Sequence, residues 1–185
     1  DSNGYQTYNH QRRLGFSAKY QYALTSRMTL TLFSALIDLD SNTPSLKGPT
    51  RAQVAQFGDN YLLSGDPTKP NYYGYNLYYI PTDFEYIGLN SDLGGGWSFN
   101  NKLYTYSYFN HEPFNGNTIS PTSGTNKLNS YRKIGDYIPF SQVSRFGTLR
   151  TGLWYEWAKT YRFQRPADPR TWIDAPVLPN FEERY

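Results

Sequence analysis

The sequence contains no cysteine, one methionine and two histidines in 185 residues. The absence of thiols excludes disulfide bonds and thiolate metal sites. His10 and His111 are distant in sequence, and no second histidine or carboxylate recurs beside either of them at ligand spacing. The sequence therefore predicts neither a metal site nor a bound cofactor.

Long hydrophobic runs are also missing. No stretch of about 18 apolar residues is present, which excludes a transmembrane helix. The mean hydropathy is −0.72, but this value does not exclude a membrane β-barrel, because the polar lumen, loops and turns dilute its lipid-facing half. Hydropathy alone leaves the cellular compartment open.

Charge and catalytic patterns are weak. The net charge is +3, with basic residues scattered along the chain, so nucleic-acid binding has little support. The acidic pairs Asp83 with Glu85 and Glu182 with Glu183 have the spacing of ordinary surface charges, with no histidine beside them. The three glycines 94–96 lack the lysine of a phosphate-binding loop. We expect no catalytic residues and no enzyme.

Regular alternation is present in the segment from Arg13 to Leu36. Apolar residues occupy every second position from Leu14 to Leu24, and the alternation resumes at Met28 after Thr25, Ser26 and Arg27. A period of two predicts a β-strand with one apolar and one polar face, and the interruption predicts a hairpin. Such strands, with apolar side chains outside and charged ones inside, are typical of a transmembrane β-barrel.

Further strands are predicted at 72–89, 97–109, 128–138 and 147–163, with a bend or unpaired position at Pro81 and a slip in the pattern near Asn100 and Asn101 that a β-bulge would explain. A short loop helix is predicted at 51–61. Tight turns are separated by long polar loops at about 41–71, 110–127 and 165–185, with a medium turn at 139–146. This alternation matches barrels with short turns at one end and long loops at the other.

Aromatic residues at strand ends are candidates for the girdles that mark the membrane interfaces of barrels. A soluble β core would accommodate aromatics equally well. The barrel interpretation is favoured because inward polar residues such as Lys19 and Arg150 are hard to bury in a dry core. The candidates are Tyr20, Tyr22, Trp97, Phe99, Tyr155 and Trp157.

A tyrosine cluster lies where a strand is expected to leave a long outer loop. Tyrosine offers a rigid ring with a polar tip, which suits stacking on a sugar or a catecholate. The alternative, which we favour, is that these residues extend the strand and pack against its neighbours. The cluster comprises Tyr72, Tyr73, Tyr75, Tyr78 and Tyr79.

Four charged residues share a face with small residues and are predicted to face the barrel lumen. They are Arg13, Lys19, Arg150 and Glu156. Such charges can steer an anionic ligand, but salt bridges from the barrel wall to a plug in the lumen and solvated charges are the favoured interpretation.

The segments RRLGFSAKYQYAL, NYYGYN, TDFEYIGLNSDLGGGWSFNNKLYTYSY and FGTLRTGLWYEWAKTYRFQ resemble the barrel strands of outer-membrane TonB-dependent receptors. The resemblance covers about residues 13–165 and consists of loose patterns. It implies an all-β fold of antiparallel up-and-down strands in a transmembrane barrel wall. Members are 22-stranded transporters with a plug in the lumen.

The resemblance also implies a function for the whole molecule. We expect a bacterial outer-membrane protein that takes up a scarce small ligand such as a ferric siderophore and is driven by the energy-transducing TonB complex. The implied partners are the lipid of the outer membrane and the TonB complex, which the protein would contact through a plug. No plug is visible in the sequence, so we expect residues 1–185 to be an internal piece of one barrel domain, of about six strands.

Two other classes fit some of the same residues. A soluble carbohydrate-binding β-domain would also be rich in tyrosine, tryptophan and Gly or Pro turns. A glycosidase β-domain would need two carboxylates roughly 5–10 Å apart across a cleft, and the sequence does not set that spacing.

Overall fold

The computed structural model describes residues 4–43, 48–116, 120–174 and 181–184. Its strands form one antiparallel sheet in which sequential strands are neighbours. Six strands are long: β1 Gln11–Thr25, β2 Met28–Ser41, β3 Tyr78–Gly94, β4 Trp97–Phe114, β5 Gly124–Ser144 and β6 Gly147–Asp168. Two short strands, β7 Ile173–Asp174 and β8 Phe181–Arg184, both pair with β6. The all-β, up-and-down prediction is confirmed.

Three connections are two-residue turns at one end of the sheet, here called the turn end. They are Ser26–Arg27, Gly95–Gly96 and Arg145–Phe146. Positive φ angles at glycines 94–96 provide the backbone conformation that the second turn needs. The predicted medium turn at 139–146 is wrong, because β5 continues through Pro139 to Ser144.

The long connections all lie at the opposite end, called the loop end. The first loop joins β2 and β3 through residues 42–77 and is longer than the predicted loop at 41–71. The second joins β4 and β5 through residues 115–123 and is shorter than the predicted loop at 110–127. The third predicted loop, 165–185, is wrong as a continuous loop, because β6 extends to Asp168 and both short strands follow it.

The loop between β2 and β3 contains the predicted helix, α1 Arg51–Phe57. A capping box begins it, in which the Thr50 hydroxyl accepts from the Gln53 backbone N–H and the Gln53 side chain accepts from the Thr50 N–H. Among the described residues, no helix has the length and hydropathy needed to cross a bilayer.

Two of the prolines inside the strands, Pro81 and Pro139, coincide with gaps in the hydrogen-bonded ladders. Ile80 and Pro81 lack partners on β4 although both pair with β2. Pro139 lies opposite a similar gap, where Asn100 and Asn101 have no partners on β5. The register is the same on both sides of each gap, so the predicted bulge near Asn100 is wrong. Because proline lacks an N–H, the ladder opens there without an extra residue.

The register defines two faces of the sheet, since paired residues share a face and neighbours in sequence do not. Face A contains the even-numbered residues of β1, and face B the odd-numbered ones. The register carries this assignment across all six long strands. All six candidate girdle residues lie on face A.

Face A has a band of exposed apolar side chains, mostly in its turn-end half, which we call the apolar belt. Leu14, Phe16 and Leu153 are 58%, 63% and 71% exposed. The belt comprises Leu14, Phe16, Tyr20, Tyr22, Leu24, Leu32, Leu36, Ile87, Leu103, Ile134, Leu149, Leu153, Tyr155 and Trp157. No second layer of the described chain covers it.

Towards the loop end, face A becomes charged. Arg132 donates two hydrogen bonds to the Asp83 carboxylate, at 2.9 and 3.0 Å. Lys159 is paired with Arg132 across β5 and β6. These charged residues lie in the same row of the register as Phe16 and Leu36, so the apolar belt reaches further towards the loop end in β1 and β2 than in β3, β5 and β6. Asp136, opposite Leu103 and Tyr155, lies within the belt.

Candidate functional site

The fully buried side chains of the described chain lie at the loop end and not between strands. Leu63 is 1% exposed, and Asn76 and Asn115 are 0% exposed. They belong to a folded structure that we call the loop-end cap, built from residues 4–10, 57–77 and 113–116. Within the described ranges, the packed core of the protein is therefore this cap at the loop end of the sheet.

Backbone hydrogen bonds join the three segments of the loop-end cap. Thr7 N–H donates to the Asn60 carbonyl at 2.8 Å, and Leu63 N–H donates to the Thr7 carbonyl at 3.2 Å. Asn115 N–H donates to the Tyr75 carbonyl at 2.8 Å. These contacts fix the long loop in a defined conformation, as is usual for loops that are packed by their own side chains.

Asparagine side chains complete the loop-end cap. The Asn115 amide donates to the carbonyls of Pro70 and Ser120, at 2.8 and 3.1 Å. The Asn42 amide donates to the carbonyls of Tyr73 and Asn76, at 3.1 and 3.3 Å. Amides in this arrangement satisfy loop carbonyls that would otherwise lose water without compensation, and the Asn115 side chain is fully buried.

The structure divides the five predicted ligand-binding tyrosines. Tyr72, Tyr73 and Tyr75 lie together in the loop-end cap, where residues 73–75 form a 3-10 turn, with the rings of Tyr72 and Tyr73 4.7 Å apart and those of Tyr72 and Tyr75 5.0 Å apart. The strand-extension interpretation is wrong for these three. Tyr78 and Tyr79 are in β3, and they point to opposite faces.

The three loop tyrosines differ in their surroundings. Tyr75 is buried, and its hydroxyl donates to the Pro67 carbonyl at 2.7 Å. Hydrogen bonding to Tyr73 raises the pKa of Tyr72, and desolvation adds to the shift. Tyr75 is therefore a packing residue, and the surface of the cluster is formed by Tyr72 and Tyr73.

Tyr8 completes this surface and was not identified from the sequence. Its ring stacks on Tyr73 at 5.3 Å with an interplanar angle of 8°. Its φ of 56° is uncommon for a residue with a side chain. A Cβ at Gly65 would lie 2.5 Å from the Tyr8 hydroxyl, so glycine there makes room for the ring. Tyr8 and Tyr73 form an exposed aromatic platform at the loop end.

The predicted lumen-facing residues Arg13, Lys19, Arg150 and Glu156 all lie on face B. They are not close together, because the first two are in β1 and the others in β6. Glu156 accepts from Lys133 at 2.8 Å and from the Tyr104 hydroxyl at 2.7 Å. The two arginines and Lys19 form no ion pair with another described residue.

Charge is distributed unequally between the two faces of the six long strands. Face A carries four basic and five acidic residues: Arg12, Arg132, Lys159 and Arg165 against Asp38, Asp40, Asp83, Glu85 and Asp136. Face B carries seven basic and four acidic residues: Arg13, Lys19, Lys102, Lys127, Lys133, Arg150 and Arg162 against Asp92, Glu112, Glu156 and Asp168. Face B therefore attracts anions more strongly than face A.

Aromatic rings also cross the middle of face B. Phe33 stacks on Tyr86 at 5.1 Å, and Tyr106 approaches Tyr131 at 5.8 Å. Small and polar residues were predicted on this face, and these rings were not predicted there. The signal was the even-numbered series Tyr104, Tyr106 and Tyr108 in β4, which falls on the face opposite Phe99.

No group of three histidine, aspartate or glutamate side chains suited to a metal ion lies among residues 4–43, 48–116 and 120–174. His111 instead forms a 2.8 Å hydrogen bond with Asn126.

Comparisons with known proteins place the fold. No protein-family description and no curated protein matches the sequence. Among solved structures, the chain is similar to the ferric citrate transporter FecA in its unliganded form, with a TM-score of 0.70 and 14% sequence identity. The match covers 95% of this chain and 25% of that chain. This chain thus spans about a quarter of the transporter's length and has the fold of a segment of a transporter's β-barrel.

Proposed function

We propose that this chain is part of the wall of an outer-membrane transporter of the TonB-dependent kind, which takes up a small ligand such as a ferric siderophore. Face A contacts lipid, face B lines the lumen, and the loop end is outside the cell. Residues 1–185 belong to one barrel domain. The remaining wall strands, a plug and the TonB complex are the protein partners in this proposal.

The observation that carries the proposal is the apolar belt. Fourteen large apolar or aromatic side chains are exposed on one face, and the charged side chains of Asp83, Arg132 and Lys159 flank them towards the loop end in β3, β5 and β6. Soluble monomers rarely expose a continuous apolar patch of this extent. Hydrocarbon on face A and water on face B account for both surfaces at once.

The open edges of the sheet support a larger wall. On its outer side β1 has no partner among the described strands, and β8 pairs with β6 only at Tyr161–Gln164. Unpaired backbone is not tolerated in hydrocarbon. Strands that continue the sheet beyond both edges would satisfy these groups, and β8 runs in the direction that the next strand requires.

The roles of the loop end and of face B follow from their chemistry. The exposed platform of Tyr8 and Tyr73 offers ring faces to a ligand arriving from outside. The excess of basic residues on face B favours an anionic ligand or an acidic protein surface inside the lumen. Tyr72 and Tyr73 remain our candidates for ligand contact, with Tyr8 added, whereas Tyr75 has a packing role.

A soluble carbohydrate-binding domain is the second candidate, and the stacked Tyr8 and Tyr73 rings favour it. It would leave the apolar belt in contact with water. Binding of the protein to a glycan column in buffer without detergent would support this candidate, and retention would have to be lost on replacing Tyr73 with alanine.

Single-cysteine labelling tests the proposed orientation, since the sequence has no cysteine of its own. In the natural protein that carries this chain, Tyr5→Cys places a thiol at the loop end and Phe146→Cys at the turn end. These positions are 77% and 86% exposed. A membrane-impermeant maleimide added to intact cells should label Tyr5→Cys alone, and both variants after the outer membrane is permeabilised.

Uptake is tested separately. Cells that depend on this protein should lose accumulation of radioactive iron supplied as a ferric complex when the protein or the TonB complex is removed. A protein found in the soluble fraction, or equal labelling of both cysteines in intact cells, would refute the membrane orientation. Normal iron accumulation without the protein would refute the ligand class only.

A further inference from the structure

A shallow cavity of about 490 Å³ lies on face B near the turn end, between β4, β5 and β6. It is open over Gly152, which separates Arg150 from Trp154 on the same strand and face. We call it the Gly152 notch, with Ser98, Tyr137, Pro139, Arg150, Gly152 and Trp154 among its lining residues. No role in the proposed transport function requires this cavity.

The notch exists because no side chain fits at position 152. A Cβ there would lie 2.7 Å from the Ile138 carbonyl oxygen and 2.9 Å from the Pro139 Cα. Both contacts are with backbone atoms, which have no freedom to move aside. Glycine therefore leaves an opening whose floor is formed by Pro139 on the neighbouring strand.

One side of the notch supplies donors for an anion. Arg150 is exposed and forms no ion pair with another described residue. It is directly opposite Ser141, and the hydroxyls of Ser98 and Ser141 lie 2.7 Å apart. A guanidinium beside hydroxyl groups is well suited to a carboxylate, because its planar fork can donate two parallel hydrogen bonds.

The other side of the notch is aromatic and held in place. Trp154 is paired with Tyr137, and the two rings are 66% and 46% exposed. The Trp154 indole N–H donates to the Tyr104 hydroxyl at 2.9 Å, and that hydroxyl donates to Glu156 at 2.7 Å. The indole is thus exposed but fixed by hydrogen bonding, which reduces the entropy lost when a ligand packs against it.

We propose that the Gly152 notch binds a small aromatic carboxylate, with the carboxylate at Arg150 and the ring against Trp154 and Tyr137. Four residues of extended strand separate the two ends, a Cα distance of roughly 13 Å. This span leaves room for one six-membered ring and its carboxylate between the two side chains. The site requires both a negative charge and a flat ring.

The test uses benzoate as the probe and the natural protein that carries this chain, purified in detergent. Binding is followed by the chemical shift of the Trp154 indole N–H. Benzamide has the ring without the charge, and cyclohexanecarboxylate has the charge without the aromatic ring. Benzoate should bind at least about tenfold more tightly than either analogue, because each lacks one of the two interactions.

Variants separate specific binding from partition into the micelle. Arg150→Gln should weaken benzoate binding about tenfold or more. Arg13→Gln is the matched control, since it removes an exposed arginine from the same face at the opposite edge of the sheet, and it should leave binding unchanged. Trp154→Leu, followed by calorimetry, should remove the preference for benzoate over cyclohexanecarboxylate.

Three outcomes would overturn the proposal: no saturable shift of the Trp154 indole with benzoate, equal affinity for benzoate and benzamide, or equal effects of Arg150→Gln and Arg13→Gln. Each variant's strand content, measured by circular dichroism, identifies a folding defect. This test involves no uptake measurement, so its result is independent of the transport proposal.

Discussion

Replacing Phe16 with arginine places a charge in the apolar belt, whereas the same replacement at Ser17 places it on face B. The two positions are adjacent in β1, at almost the same height in the sheet, and both are exposed. They differ only in the face to which the side chain points. If face A contacts lipid, Phe16→Arg should be much more destabilising than Ser17→Arg.

The expected magnitude follows from the position of Phe16 in the belt. In β1 the belt extends from Leu14 to Leu24, which is roughly 33 Å of strand and, at a tilt of about 45°, roughly 23 Å of depth. Phe16 is two residues inside the upper limit, roughly 5 Å below it. Arginine at the bilayer midplane costs about 2–4 kcal/mol and less near the interfaces. We therefore expect a loss of about 2 kcal/mol for Phe16→Arg.

The assay is urea unfolding of the natural protein reconstituted in phospholipid vesicles, followed by tryptophan fluorescence. Ser17→Arg should change the free energy of unfolding by no more than about 0.5 kcal/mol, as is usual for surface substitutions. Equal effects of the two substitutions, or a stabilising effect of Phe16→Arg, would show that both faces contact the same medium and would refute the proposed arrangement.

Three further predictions concern the loop end. Leu63→Ala should lower the free energy of opening the loop-end cap by about 2–5 kcal/mol, because a fully buried leucine is truncated; unchanged hydrogen exchange at the Leu63 amide would contradict this. Gly65→Ala should displace the Tyr8 ring, whose hydroxyl would lie 2.5 Å from the new Cβ; preserved cross-ring nuclear Overhauser effects to Tyr73 would contradict it. Arg170 lowers the pKa of Asp168 from 3.8 to about 2, mainly through side-chain hydrogen bonds and in smaller part through its backbone N–H. The pair's contribution to stability should therefore be complete above the ordinary pKa and be lost as the pH falls towards 2, and an NMR titration with its midpoint near 4 would contradict this.

The strands were predictable because their pattern is local. Residues alternate between apolar and polar from Leu14 to Leu24 and again from Met28, because one face of each strand is apolar and the other polar. The two-residue turn between these strands needs no distant contact. The short turns and long loops were assigned to opposite ends for the same reason. The capping box that starts α1 at Thr50 is equally local.

Strand ends and prolines were less predictable. Pro139 was assigned to a turn because proline is rare in central strands. The structure accommodates it by leaving Asn100 and Asn101 without partners on β5. That accommodation depends on two strands meeting at one level, which composition does not reveal. Phe99 and Tyr104 lie on opposite faces because they are an odd number of residues apart in a strand whose register does not shift.

The loop-end cap was not predictable, because its contacts join distant parts of the chain. Asn115 binds the Pro70 carbonyl across 45 positions, and Thr7 binds the Leu63 carbonyl across 56. No periodicity marks such contacts. The tyrosines 72–75 therefore looked like the start of a strand, although hydrogen bonds to remote asparagines hold them in a turn. The platform formed with Tyr8 was missed for the same reason.

The two-residue turns have a consequence for the order of folding. Each long hairpin closes by joining residues that are almost adjacent in sequence, so its initial loss of chain entropy is small and pairing proceeds outwards from the turn. The segments around Leu63 and Asn115 meet only after two neighbouring hairpins have aligned. The assembly at the opposite end is therefore expected to form last and to open first, while the ladders below it remain intact.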